Sequence, residues 1–346
     1  HGPRVPRDEL AALAARAGDI EVDRYGGGEL VDGFERRLAA LLGTEAAAFM
    51  PSGTMAQQAA LRVWCDRTGR DQVAMHPTAH PHLHEEMAYA ELHHLHAVLV
   101  GDPERAVARA DLDTIDVPIA ALLLELPQRE VGGELPTWDD LTAMAAWARE
   151  RGVRLHLDGA RLWECLPAYG CEPADICAFF DSVYVSFYKG LGGIAGAALA
   201  GPQDVVDEAR LWRKRHGGTL FSMYPYVLAA ERGLDEFLPM MATFRDAAIA
   251  LAARIRDVPG LSLRPDPPHV SMFHLTIAAP KEAVAAAGVE VMRATGVWLF
   301  DPRYLNSRDD TATTFEVTAG LATLDLGTGA AAEVLADLAE RSLQRA

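Results

Sequence analysis

Strand-like and helix-like stretches alternate from about residue 45 to residue 200, and no other feature of the sequence narrows the choice of fold as far. Runs of β-branched, aromatic and small apolar residues at 46–50, 92–100, 120–126, 153–158, 182–188 and 195–201 predict strands. Between them, 55–66, 138–151 and 162–180 read as helical. Such alternation builds βαβ units and a parallel sheet. The expected fold class is therefore α/β, with a large domain around a mostly parallel sheet. In sheets of this kind ligands bind outside the carboxyl ends of the strands. Two strands reach that end on a charged residue followed by glycine, Asp158-Gly159 and Lys189-Gly190. Asp158 and Lys189 should thus face one crevice.

A carboxylate and an amine held there suit pyridoxal 5'-phosphate. A lysine amine forms a Schiff base with an aldehyde, and a buried carboxylate keeps a pyridine nitrogen protonated, so that the ring draws electrons. The plainer alternative makes Asp158 a helix cap and Lys189 a surface lysine. A third element upstream speaks against it. Pro51-Ser52-Gly53-Thr54 joins a strand to a helix. Small residues there offer an anion free backbone N–H groups, two hydroxyls and the positive end of a helix dipole. Ser52, Gly53 and Thr54 form the candidate phosphate cradle. Ser or Thr before a helix is commonly just an N-cap, so the weight comes from all three elements occurring in order.

The formal net charge of −17 speaks against a sequence-independent nucleic-acid binder, which needs a basic stripe. It does not speak against an anionic cofactor, because screening over about 8 Å leaves local donors in control. The longest apolar stretch, 119–124 with its flanks, is far short of the ~20 residues of a membrane helix. No signal peptide is recognisable, and the chain opens on His1 rather than Met, so the native start is expected to lie upstream. Cys65, Cys165, Cys171 and Cys177 show no CxxC spacing, which suggests reduced thiols in a cytoplasmic protein. Seven of the 12 histidines fall between residues 72 and 96. His80, His82 and His84 with Glu85 and Glu86 could bind a metal, but their junction sends the side chains in different directions, and no metal is expected. A better use for one imidazole is stacking on a cofactor ring, where it can also relay protons.

Residues 7–16 and 29–42 read as helices, the second with Leu30, Phe34, Leu38, Leu41 and Leu42 on one face. A helix at 205–212 ends in Arg213-Lys214-Arg215, either a solvated helix end or a clamp on phosphate or a neighbouring subunit. A helical region at 225–258 leads out of the large domain. Strands at 269–277 and 313–318 and a helix at 329–343 suggest a smaller α+β domain. The expected domains are 1–235, including an amino-terminal arm at 1–28, and 236–346.

Several stretches together resemble the threonine aldolase and β-eliminating lyase family, pyridoxal-phosphate enzymes of the aspartate-aminotransferase fold (fold type I). They are Asp23-Arg24-Tyr25-Gly26, Phe49-Met50-Pro51-Ser52-Gly53-Thr54-Met55-Ala56, His156-Leu157-Asp158-Gly159-Ala160-Arg161-Leu162, Lys189-Gly190-Leu191-Gly192 and Arg210-Leu211-Trp212-Arg213-Lys214. The resemblance covers roughly residues 20–235 and is weaker in the last hundred. It implies that Lys189 forms the Schiff base, Asp158 partners the pyridine nitrogen, and Ser52, Gly53 and Thr54 bind phosphate. It further implies that His80 stacks on the cofactor ring and that Arg161 binds a substrate carboxylate, unless Arg161 only pairs with a nearby acid.

The departures fall on substrate-handling positions. Where the family often has a histidine, this chain reads Glu125-Leu126-Pro127-Gln128, and Gln128 can hydrogen-bond substrate but not act as a base. Gly217-Gly218-Thr219-Leu220-Phe221 and Thr314-Phe315-Glu316-Val317-Thr318 each lack an expected arginine, and the arm's serine has no counterpart among residues 1–7. The implied activity is cleavage of the Cα–Cβ bond of β-hydroxy-α-amino acids to glycine and an aldehyde. His80 would be the base, with Glu85 and Glu86 as second choices. The alternatives are β-elimination, racemisation or transaldol exchange with the same cofactor, or a non-catalytic pyridoxal-phosphate protein. A dinucleotide enzyme is disfavoured, since no GxGxxG follows the first strand. The resemblance also implies a homodimer or homotetramer with a shared active site.

Overall fold

Helix α1 (Pro6–Ala17) and helix α2 (Glu29–Leu42) open the computed structural model, which describes residues 5–346 except the side chains of 308 and 309. Residues 1–4 of the expected arm, and with them part of the stretch compared for a serine, lie outside the described residues. Helix α2 spans the range its periodicity predicts. It buries Val31, Phe34, Leu38 and Leu42, and Gly43 closes it in the left-handed region at φ 66°.

The chain divides into two compact units. The larger runs up to Glu130 and from Leu135 to Met240. After α2 come β1 (Ala46–Met50), α3 (Gly53–Thr68), β2 (Gln72–Met75), α4 (His80–Leu83), α5 (Ala88–His93), β3 (His96–Leu99) and β4 (Ala121–Glu125). They are followed by α6 (Trp138–Arg151), β5 (Arg154–Gly159), α7 (Leu162–Tyr169), α8 (Pro173–Cys177), β6 (Ser182–Ser186), β7 (Ala197–Gly201), α9 (Gln203–Arg215) and α10 (Tyr224–Glu236). The sheet order is β1-β7-β6-β5-β4-β2-β3. Strands β6, β5, β4, β2 and β3 are parallel, whereas β7 runs antiparallel to both β6 and β1. β6 and β7 are buried throughout and β4 up to its last residue, as sheets covered on both faces require.

Two antiparallel steps restore the original direction, so β1 points the same way as β5 and β6. Met50 pairs with Ala197, and Ala197 with Ser186. The loop after β1 is thereby delivered to the edge where β5 and β6 end. Helix α3 can lie close to the sheet because the residues between them are small: Ala56, Ala59 and Ala60 are fully buried among Ala46, Ala48, Ala197 and Leu199.

The second unit holds Val131–Glu134 and Met241 onward. It comprises α11 (Met241–Ile255), β8 (Leu261–Arg264), β9 (Met272–Ile277), α12 (Lys281–Thr295), β10 (Asn306–Asp309), β11 (Ala312–Thr318), α13 (Leu321–Leu326) and α14 (Thr328–Leu343). Its antiparallel sheet has the order β10-β11-β9-β8. Phe273, Leu275, Ile277 and Phe315 of the sheet are buried with Leu251, Ile255, Val284, Val291, Leu335 and Leu338 of its helices.

Some elements differ from expectation for identifiable reasons. Leu92 and His93 close α5, whose cap His94 takes φ 55°, so β3 is shorter than 92–100. The stretch 162–180 splits where Gly170 turns left-handed after Pro167. A 3₁₀ turn over Leu238–Met240, with Pro239 inside it, interrupts 225–258. β2, β8, α12 and β10 were not foreseen.

Candidate active site

Residues on one face of a strand recur at every second position, and β5 presents His156 and Asp158 together. Asp158 is 1% exposed, one residue from the strand's end. Its Oδ2 accepts a hydrogen bond from Gln57 Nε2 at 2.5 Å and its Oδ1 from the Ala160 amide at 3.1 Å. Gln57 lies one turn along α3 from Gly53. Burial pushes the Asp158 carboxyl up, while the nearby Lys189 cation and His80 pull it back.

Lys189 lies three residues beyond the end of β6. Burial, then the Arg161 guanidinium, lower its pKa from the usual lysine value, and Asp158 and Glu125 oppose them. Lys189 and Asp158 are therefore within electrostatic reach of each other. Arg161 keeps 15% of its side chain exposed, with Nε 3.8 Å from Glu164 Oε1, so it does have an acidic partner.

At the start of α3, Ser52 is the N-cap, its Oγ accepting from the Met55 amide at 3.3 Å. The Gly53 and Thr54 amides precede the first helical hydrogen bond, from Ala56 N–H to Ser52 O. Glycine is required at 53, since a Cβ there would collide with the Tyr184 hydroxyl. Tyr184 is the register partner of Asp158, so cradle and carboxylate share a wall.

The histidines of α4 and its cap take different polar partners, although the His80 and His84 ring centroids lie 5.3 Å apart. His80 Nδ1 lies 3.0 Å from Glu85 Oε1, His82 Nδ1 meets the Tyr89 hydroxyl, and His84 Nε2 meets Glu130. Glu85 is buried and also accepts from Gln58 Nε2, and 33% of the His80 side chain stays exposed. Glu86 is exposed. The His80 amide donates to Glu125 Oε2 at 3.3 Å, and the Arg129 amide to Glu125 Oε1. Glu125 keeps some accessible surface, yet the protein packed round its carboxyl and the adjacent Asp158 push it up to about 7. Gln128 is 2% exposed and gives its amide to Thr78 Oγ1 and Glu125 Oε2.

Reasoning from the sequence missed Gln57, Glu125 and His156 as members of the site. Two signals were available: Gln57 follows Gly53 by four residues on one helix face, and His156 precedes Asp158 by two. Glu125 shows itself only when β4 pairs with β5. The basic run divides: Lys214 and Arg215 are exposed in the last turn of α9, as in a solvated helix end, whereas Arg213 turns inward. Arg213 is an internal tie, 6% exposed, donating to Phe49 O at 2.7 Å, with Gly26 making room for it. Arg215 lies over the Trp212 ring at 4.4 Å. Asp23 is buried too, and caps α10 by accepting from the Met223 and Tyr224 amides.

A family model for beta-eliminating lyases matches residues 8–279. The low specificity L-threonine aldolase of Escherichia coli (strain K12) is 31% identical over 299 residues, 83% of this chain and 84% of its own. A crystal structure from Listeria monocytogenes, assigned as an L-allo-threonine aldolase, superposes with a TM-score of 0.92 at 38% identity over 99% of this chain and 94% of its own. Another, from Exiguobacterium sp. 255-15 and assigned as an aromatic amino acid beta-eliminating lyase/threonine aldolase, gives 0.93 at 40% identity over 99% and 95%. Serine palmitoyltransferase from Sphingomonas wittichii, at 16% identity and a TM-score of 0.72, shares the fold alone. The chain thus adopts the fold type I architecture expected of it.

Proposed function

This chain belongs to the beta-eliminating lyase family, and from that premise we propose that it is a pyridoxal-phosphate-dependent, threonine-aldolase-like lyase. It cleaves the Cα–Cβ bond of β-hydroxy-α-amino acids to glycine and an aldehyde. The observation that carries the reading is the electrostatic meeting of the Lys189 amine and the buried Asp158 carboxylate beside the glycine-led start of α3. The donor set suits the cofactor: an amine of lowered pKa, a carboxylate for a ring nitrogen, and early helix amides for a phosphate.

When bound, pyridoxal phosphate supplies an aldehyde for Lys189 and a ring that takes up the electron pair released at the α-carbon. Burial and Arg161 favour the neutral, nucleophilic form of the Lys189 amine. Asp158 holds a proton at the ring nitrogen, and Ser52, Gly53 and Thr54 hold the phosphate. Arg161 binds the substrate carboxylate. His80 would help hold the cofactor ring and would take the β-hydroxyl proton at Nε2, its Nδ1 tied to Glu85. As the Cα–Cβ bond breaks, the aldehyde leaves, the α-carbon takes a proton from solvent to complete glycine, and His80 releases the hydroxyl proton to solvent. Gln128 gives its Nε2 to Thr78 and Glu125 and so shapes the Glu125 side of the site.

A homodimer or homotetramer with a shared site, and a cytoplasmic setting, belong to the same proposal. The test is to incubate the purified, cofactor-loaded protein with L-threonine, L-allo-threonine and phenylserine and to assay glycine. Glycine from at least one supports the reading. An absorbance band removed by borohydride with no glycine from any of them would move the assignment to β-elimination, racemisation or transaldol exchange.

A further inference from the structure

Four buried side chains run back from Asp158 in one hydrogen-bonded line. Gln57 Nε2 donates to Asp158 Oδ2 at 2.5 Å, and Gln57 Oε1 lies 2.7 Å from His156 Nε2. His156 Nδ1 lies 2.7 Å from Ser182 Oγ, and Trp64 Nε1 donates to the same Oγ at 2.8 Å. None of the four is more than 3% exposed. The backbone sets the line up, because Ser182 is the register partner of His156 across β5 and β6.

Donor and acceptor counting gives the line a single direction. An indole N–H can only donate. Ser182 therefore accepts from Trp64 and, within the line, has only His156 Nδ1 to receive its own proton. At the other end an ionised carboxylate can only accept, so Gln57 turns its amide N–H to Asp158 and its carbonyl to His156. The imidazole that completes this line is neutral, with its proton on Nε2; a ring protonated at both nitrogens would need Ser182 to accept twice. Burial keeps it neutral, pushing its pKa down to about 3. Reversal would require a proton on Asp158, a flipped Gln57 amide and the other tautomer of His156. It would also leave the Ser182 proton with no acceptor in the line.

Resting on the cofactor reading above, we propose that Gln57, His156, Ser182 and Trp64 are positioning residues that hold Asp158 in its acceptor-only, ionised form and aim it at the cofactor's ring nitrogen. Asp158 needs such support because burial works toward its protonation. Glu85 and Glu125 face it with like charge, and the Tyr184 and Tyr188 hydroxyls also lie within reach. Lys189, His80 and the Ala160 amide favour the anion. Aligned donors polarise one another, so the last link, from Gln57 to a carboxylate, is the strongest of the line.

Two measurements test this. The first is a long-range ¹H–¹⁵N spectrum of the cofactor-free protein labelled with ¹⁵N-histidine, which needs no turnover. His156 should be neutral and Nε2-protonated from about pH 5 to pH 9; an Nδ1-protonated or doubly protonated ring overturns the proposal. The second is a spectral titration of cofactor-free protein with pyridoxal phosphate across pH, for the unaltered chain and for Gln57→Met. The variant should bind about 10- to 100-fold more weakly, having lost a hydrogen bond to a charged group. The acid limb of its affinity profile should move up by about one pH unit, because a carboxylate that loses a donor takes up a proton more readily. A purely structural role would not move that limb. An unmoved limb with unchanged affinity overturns the positioning role and leaves the cofactor reading intact, whereas no binding by the unaltered chain overturns the cofactor reading itself. Should Gln57→Met fail to fold, the histidine tautomer in the unaltered chain decides.

Discussion

Asp158 sits 1% exposed near the end of β5 with donors on both oxygens, whereas a third of the His80 side chain stays open on the short helix α4, held by the single carboxylate of Glu85. In the proposed reaction the two carry different duties. A group whose charge must stay constant gains from burial among fixed partners, because a preorganised environment need not rearrange during turnover. A group that must take up and release a proton gains from an open edge and one orienting partner. The buried side is built from regular elements and the open side from a short helix and its loops, the arrangement expected of a rigid scaffold carrying functional loops.

The largest expected effect lies where the two sides meet. Lys189→Ala should lower glycine formation by about 10⁴-fold or more and abolish the borohydride-sensitive absorbance. Appreciable turnover in that variant would remove the basis for contrasting the two sides at all. His80→Ala should cost about 10²–10⁴-fold in kcat while leaving the cofactor absorbance in place. Loss of the absorbance would instead make His80 structural and erase the contrast. Glu85→Gln should follow with a smaller loss, about tenfold or somewhat more, by weakening a hydrogen bond to the ring.

Two smaller effects sharpen the picture of the buried side. Gly53→Ala forces α3 away from Tyr184 and should cost about 1–3 kcal/mol in urea unfolding, as overpacking does. An unchanged midpoint would mean that this wall is soft. The second effect is acid sensitivity. The pKa of His156 is pushed down to about 3 and that of His93, against His216, to about 4, each from an ordinary 6.5. Between those values and 6.5 the unfolded chain binds protons that the folded chain refuses. Their stabilisation is therefore complete above pH 6.5 and declines as pH falls, toward 4 for His93 and toward 3 for His156, by up to about 1.4 kcal/mol per pH unit for each group. Unfolding curves at pH 7 and pH 5 read this directly, and a flat profile would show that these imidazoles are wet.

Much of the frame was legible beforehand. Helices α2 and α6 match their predicted ranges because periodicity, caps and first-turn acids agree there. Asp158, Lys189 and Ser52–Gly53–Thr54 stood out because each marks a strand end or helix start, a local event with a local signature. β2, only four residues long in a histidine-rich stretch, gives too short a signal, and the alanine-rich α12 shows little polarity contrast. Gln128 reads as a substrate contact in the chain, and only the tertiary structure shows its burial and its hydrogen bond to Thr78.

Local order along the chain was enough to determine the alternation of strands and helices, the α/β class, and which charged residues sit at strand ends, since each depends on neighbours a few positions away. The tertiary structure alone decided that Gln57 would meet Asp158 across 101 positions, that Glu125 would lie beside it, and that Arg213 would turn inward. Those outcomes depend on desolvation and on partners brought together by sheet register, and neither is encoded in any single stretch of residues.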